Sequence, residues 1–203
     1  MAQDRDGRCI APKSLERLRN VVIASFAQGS FRDLKIRDIA RQAKVGPATI
    51  YKYFGSKDEL LFACIQPEVQ ALGASLLAAK AASENEHSRE RMRDFADIFI
   101  SFYLKHRQIG EIVYLTIPVR NWIDNPAFIQ VQKLAVGADI LRDGQVRGEI
   151  RSDVSAEMLI DLMAGAIHRY MMRTLLSPTS LTEVAHADRL IGIFWPMIAS
   201  SGS

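Results

Sequence analysis

Residues 35–57 of this chain read Lys-Ile-Arg-Asp-Ile-Ala-Arg-Gln-Ala-Lys-Val-Gly-Pro-Ala-Thr-Ile-Tyr-Lys-Tyr-Phe-Gly-Ser-Lys. Ile36, Ile39, Ala40 and Ala43 fall on one face of a first short helix. Lys44, Val45 and Gly46 form a turn. Pro47 suits the first position of a second helix, where its missing N–H would have had no partner. Ile50 and Phe54 give that helix an apolar stripe, and Gly55 ends it. Its polar side carries Thr49, Lys52 and Tyr53. Two short helices crossing at a tight turn, with the small Ala40 at the crossing, make a helix-turn-helix over about 35–54.

Toward the N-terminus, Leu15, Leu18, Val21, Val22, Ser25 and Phe26 repeat at helical spacing and predict a helix over 12–28, closed by Gly29. Lys13, Arg17 and Arg19 lie off that stripe. Phe31 reads as an anchor into a small core, and residues 1–11 as a tail whose Arg5 and Arg8 either reach a phosphate or stay solvated. Toward the C-terminus, Ser56 and Glu59 form a capping box that opens a helix running to about Ala82. Pro67 inside it removes one backbone bond and predicts a kink.

A polar loop over 83–87 leads to an amphipathic helix over 88–107, with Met92, Phe95, Phe99, Phe102, Tyr103 and His106 on its stripe. Further helices are expected over 109–115, 126–147, 155–176 and 181–198, with a turn-rich stretch over 143–153. No alternating pattern and no repeat is present, so the chain reads as all-α with about nine helices. The expected division is a head over 12–72 and a body over 73–203, joined stiffly because no Gly/Ser-rich linker lies near residue 65.

The composition, 48% hydrophobic and 24% charged, suits a folded protein with a substantial core. Apolar runs are short, so no membrane span is expected. Residues 1–10 lack the apolar stretch of a signal peptide, which makes the cytoplasm the default compartment. Cys9 and Cys64, distant and in unlike contexts, are expected to stay reduced there. Residues 1–62 hold 12 Lys and Arg against 7 Asp and Glu, whereas the remainder holds 14 against 16. The basic excess therefore lies in the third of the chain that carries the helix-turn-helix, as for a phosphate-facing head on a nearly neutral body.

Catalytic patterns are missing. His87, His106, His168 and His186 show no H-x-x-x-H spacing, and neither cysteine belongs to a C-x-x-C pair. There is no phosphate-binding glycine loop and no G-x-S-x-G elbow. No enzyme activity, cofactor or metal is expected.

Ile39-Ala40, Tyr51-Lys52-Tyr53-Phe54 and Lys57-Asp58-Glu59-Leu60-Leu61, with the first helix at matching spacing, resemble the TetR/AcrR family of bacterial transcriptional regulators over residues 12–72. Val146-Arg147-Gly148-Glu149-Ile150-Arg151 before a long helix is similar to that family's step into its dimerising helices. The resemblance implies three helices that read double-stranded DNA and a helical body that binds a ligand and dimerises. It places Pro47, Ala48 and Thr49 at base edges, Lys52 at a guanine edge or a phosphate, and Tyr51 and Tyr53 on phosphates through their hydroxyls. Arg37 is placed at a guanine, Lys57 at a phosphate, and Lys35 where relatives have a capping hydroxyl. The alternative for Tyr51 is a core ring with only its hydroxyl outside; Arg41 and Lys44 read as a solvated face. Lys44 also departs from the glycine usual in the turn, and Gly46 from the usual hydroxyl cap.

The same resemblance implies a homodimer on a palindromic operator, because two recognition helices must lie about 34–36 Å apart or at a multiple of it. The last two helices are the expected interface. Ala164, Gly165, Ala166 and Gly192 would allow close approach, and Leu162, Met171, Leu175, Leu190 and Phe194 would supply apolar area. Phe99, Phe102, Tyr103, Tyr114, Trp122, Phe128 and Met163 are the candidate liners of a pocket for an unidentified, mostly apolar effector, although each also suits plain core; His106 and His168 could add polar contacts. The implied mechanism is repression relieved by that effector, with the helix at Pro67 as lever. A regulator without ligand control, or an activator, is the alternative.

Overall fold

In the computed structural model of the protein, residues 10–29, 33–117, 130–177 and 187–200 are described, the side chains of 130–133 excepted. Among these, nine α-helices appear: α1 Pro12–Gln28, α2 Ile36–Ala43, α3 Pro47–Phe54, α4 Lys57–Ala82, α5 Ser88–Lys105, α6 Arg107–Glu111, α7 Gln130–Val146, α8 Ala156–Leu176 and α9 Ala187–Ile198. A π-helical turn, Ile112–Thr116, follows α6. The described residues contain no strand, only an isolated antiparallel bridge between Ile150 and Ala199. Arg5, Arg8, Cys9, Phe31, Trp122, Phe128 and His186 lie outside the described residues.

The chain forms two compact units, Met1–Glu68 with Gln108–Phe128, and Val69–Arg107 with Ile129–Ser203. The division thus falls inside α4, one residue past Pro67, where the sequence places it after residue 72. The first unit also takes in residues 108–128, because the π turn returns to α1: the Thr116 hydroxyl donates to the Phe26 carbonyl at 2.9 Å.

Apolar spacing builds the first unit. Leu18, Val22 and Phe26 of α1 are fully buried, and so is most of Ile23, which the predicted stripe omits; Leu15, Val21 and Ser25 are only partly covered. Ile36, Ile39, Ala40 and Ala43 of α2, Ile50 and Phe54 of α3, and Leu60, Leu61 and Ile65 of α4 complete this core. Helix α4 continues through Pro67, which has no N–H to give the Ala63 carbonyl. Its length and composition would suffice to cross a membrane, with a mean hydropathy of 1.4 over an 18-residue window, contrary to the expectation from run lengths. The apolar character comes from scattered alanines and few charges, and 44% of the window is buried inside the protein.

In the second unit α5 packs on α7 and α9, and α7 on α8. Helix α5 starts on two side-chain caps: His87 Nδ1 accepts from the Arg89 amide at 3.3 Å, and the Glu149 carboxylate from the Ser88 amide at 2.7 Å. Met92, Phe95, Phe99 and Tyr103 bury the α5 stripe, while Phe102 and His106 are half-buried. Gly137 lets α7 approach closely, since a Cβ there would lie 2.6 Å from Ile160 Cδ1. Ser155 caps α8, accepting from the Met158 amide at 3.2 Å.

Candidate nucleic-acid interface

The geometry of the head begins with its turn. Lys44 ends α2 in the left-handed conformation, with φ 53° and ψ 44°. The Val45 amide donates to the Ala40 carbonyl at 3.0 Å and the Lys44 amide to Arg41 at 3.3 Å, a Schellman closure with lysine where glycine is usual. A Cβ in this region costs about 1–2 kcal/mol. Gly46 precedes α3 in extended conformation; its carbonyl accepts from the Thr49 and Ile50 amides at 3.0 and 3.2 Å. Neither Lys35 nor Gly46 offers a side-chain cap, as the sequence indicates. At the far end Gly55 has φ +73°, a conformation that favours glycine over any residue with a Cβ. Of the capping box, one half forms: the Glu59 amide donates to Ser56 Oγ at 3.1 Å.

This turn presents one side of α2 and α3 to solvent. Lys35, Arg37, Pro47, Ala48, Tyr51 and Lys52 are exposed, and Thr49 and Tyr53 are half-buried. Tyr51 is 53% exposed, so its ring stands outside the core rather than in it. Among the described residues Arg37 has neither an ion pair nor a side-chain hydrogen bond, whereas Arg41 pairs with Asp38 at 2.9 Å. Lys57 contributes to the fold as well, since its ammonium donates to the Leu34 carbonyl at 3.3 Å and ties the start of α4 to the segment before α2.

Two residues left off the apolar stripe of α1 prove to be clamps. Arg17 Nε donates to the Ala43 carbonyl at 2.6 Å and closes the C-terminus of α2. Arg19 Nε donates to the Cys64 carbonyl at 2.9 Å, and its Nη2 pairs with the Glu68 carboxylate, so one guanidinium straddles Pro67. Cys64 beneath it is a free, buried thiol; burial pushes it up to about 12, against a smaller opposing pull from Arg19. The only sequence signal for these contacts was the position of two basic residues beside an apolar stripe.

The body residues divide. Phe99, Tyr103 and Met163 are buried in the second unit and Phe102 is half-buried there, with Phe99 and Tyr103 rings 5.3 Å apart. Tyr114 is buried too, but in the first unit. The His106 ring lies tilted against Phe102 with centroids 4.6 Å apart, and burial lowers the pKa of the half-buried His168 imidazole. A cleft of about 240 Å³ is lined by Arg89, Glu90, Arg93, Asp188 and Ile191, none of them an expected liner. No group of three or more His, Cys, Asp or Glu is placed to hold a metal among the described residues.

On the expected interface, Met171 and Leu175 are 0% and 3% exposed and belong to the protomer's own core. They lie on the inner face of α8, whose apolar residues occupy most of its circumference. Leu162 is 61% exposed, and Met158, Ile193 and Met197 join it as large apolar side chains in solvent. Gly165, Ala166 and Gly192 are exposed, while Ala164, Leu190 and Phe194 are half-covered.

Residues 22–64 match the family described as bacterial regulatory proteins, tetR family. Over 154 residues the chain is 32% identical to the HTH-type transcriptional regulator BetI of Brucella canis, covering 66% of this chain and 78% of that one. In fold it is similar to the fatty acid degradation regulator FadR of Bacillus halodurans, with a TM-score of 0.72 at 15% identity over 93% of this chain and 97% of the other. FadR of Bacillus subtilis, solved in complex with stearoyl-CoA, gives a TM-score of 0.70 at 16% identity over 88% and 96%.

Proposed function

The chain belongs to the TetR family of bacterial transcriptional regulators, and from that premise we propose that it is a cytoplasmic repressor that binds a palindromic operator as a homodimer and leaves it when a mostly apolar effector enters the body. DNA binding is the family's activity, and the relatives are regulators rather than enzymes. The observation that carries the reading is the exposed face of α2 and α3. Arg37, Tyr51 and Lys52 stand in solvent there, on a turn fixed from behind by Arg17.

Thr49, Pro47 and Ala48 occupy the N-terminal turn of α3, the part of a recognition helix nearest the base edges. Tyr53, Lys35 and Lys57 supply flanking phosphate contacts, Lys57 alongside its bond to Leu34. The domain roles follow as head, residues 12–72, and ligand-binding, dimerising body, residues 73–203.

Dimerisation is assigned to the exposed face of α8 and α9. Met158, Leu162, Gly165 and Ala166 recur at helical spacing on α8, and Ile193 and Met197 one turn apart on α9. A glycine at 165 or 192 has nothing within 4 Å of where its Cβ would stand, leaving room for a second helix. An apolar effector accords with the buried Phe99, Tyr103 and Met163, and a FadR relative in fold holds stearoyl-CoA. Arg19 ties α1 to α4 on both sides of Pro67, at Cys64 and at Glu68, which supports reading that proline as the lever between the effector and the head. Nuclease footprinting of the DNA beside the gene tests the reading: a protected palindrome is expected, and protection of a single unrepeated site contradicts it.

A further inference from the structure

The second unit contains a cation that its packing does not satisfy. Arg91 on α5 is 2% exposed. Its Nη2 donates to Asp143 Oδ2 at 3.1 Å, and its Nε and Nη1 have no hydrogen-bond partner. Asp143 is itself 49% exposed, so water competes for that carboxylate. A guanidinium has five N–H donors, and burying it with so few of them used is unfavourable unless another acceptor arrives. Such a group in a native fold needs an acceptor, from water or from a ligand.

Its surroundings indicate which kind. Arg91 starts a stripe along α5 that continues at every fourth residue through Phe95, Phe99 and Tyr103, all buried. The Phe95 and Phe99 rings stack at 6.1 Å, and Phe99 meets Tyr103 at 5.3 Å. From Arg91 to Phe99 is two helical turns and a little more, about 12 Å along which the side chains beyond the cation are apolar and buried. A charged end followed by an apolar strip is the complement of an amphiphilic anion.

We propose that Arg91 reads the carboxylate of an apolar organic acid, whose hydrocarbon lies along Phe95 and Phe99. This rests on the effector reading above and narrows it: the effector is anionic, not merely apolar. A neutral alcohol would accept from the orphaned donors without the charge assistance of a carboxylate, so discrimination of about tenfold or more is expected. A free small anion shares the carboxylate's chemistry, and the experiment separates the two.

Calorimetric titration and thermal melting of the full-length protein with decanoate, decan-1-ol, decylamine and inorganic phosphate test the assignment. Decanoate should bind at least about tenfold more tightly than decan-1-ol. Arg91→Gln should erase that preference by weakening decanoate far more than decan-1-ol, and Arg91→Lys should keep part of it. Should Arg91→Gln fail to fold, Asp143→Asn serves: it releases Nη2 and should retain the preference or raise it. Equal affinity for the acid and the alcohol, or a preference that survives both Arg91 variants, overturns the proposal while leaving an effector site in place. Stabilisation by phosphate alone, with nothing added by decanoate, also overturns it in favour of a small-anion site. Operator release by an uncharged compound tests the effector reading separately.

Discussion

Arg17 Nε lies 2.6 Å from the Ala43 carbonyl oxygen, 26 residues further along the chain. A basic side chain in the positively charged third of the protein is therefore spent on the protein itself. It closes α2 from α1 and holds the turn at Lys44 in place. Arg17→Ala should lower stability by about 1 kcal/mol, the usual value of a partly buried hydrogen bond. Denaturant melts would register that loss, and operator affinity of the folded fraction should not change. Weakened DNA binding at unchanged stability would instead make Arg17 a DNA contact.

Lys44 sits where the backbone favours glycine, with φ 53°. Lys44→Gly should stabilise the head by about 1 kcal/mol, because the left-handed penalty of a Cβ disappears. Thermal melting reads the gain. An unchanged or lowered midpoint would mean that the lysine side chain contributes more than its backbone strain costs.

Cys64 gives a pH dependence with a definite sign. Its thiol ionises at about 12 in the fold against an ordinary value of 9.0, because burial penalises the thiolate. The folded state therefore holds the proton more tightly than the unfolded chain. The contribution is complete below pH 9 and is lost as pH rises from 9 toward 12, at up to about 1.4 kcal/mol per pH unit. Cys64→Ala should flatten stability over that window, apart from a pH-independent loss for the vacated volume. Alkylation of Cys64 should be slow in the folded protein and fast in denaturant; rapid reaction of the native protein would contradict its burial.

The exposed and buried faces of α8 and α9 should answer differently to mutation. Leu162→Glu or Ile193→Glu, both in solvent in the protomer, should yield monomers by sedimentation with little change in helix content. Met171→Ala, at 0% exposure, should destabilise by about 2–5 kcal/mol through the cavity it leaves. A dimer that survives both Glu variants would move the interface elsewhere.

Much of the head was legible because its signals are local. The periods of Ile36, Ile39, Ala40 and Ala43, the proline at 47 and the glycine at 55 each act within one turn, and the fold follows them. Arg17 and Arg19 were not legible, since their partners lie 26 and 45 residues away and leave no trace in periodicity. The burial of Met171 and Leu175 against the exposure of Leu162 was likewise hidden. Apolar residues ring α8, and only its packing on α7 decides which stripe turns inward. Tyr114 falls in the first unit because the π turn comes back to α1, a return that helix spacing does not announce.

If the exposed face of α2 and α3 reads DNA, its exposed cations must contribute to operator binding. The most direct measurement is operator affinity by gel shift at two salt concentrations for the parent protein, Arg37→Ala and Lys52→Ala. Each variant should lose about 1–3 kcal/mol on the operator, at least one should relax discrimination at a single base pair, and affinity should fall steeply with salt. Unchanged affinity in both variants would contradict DNA reading by this face.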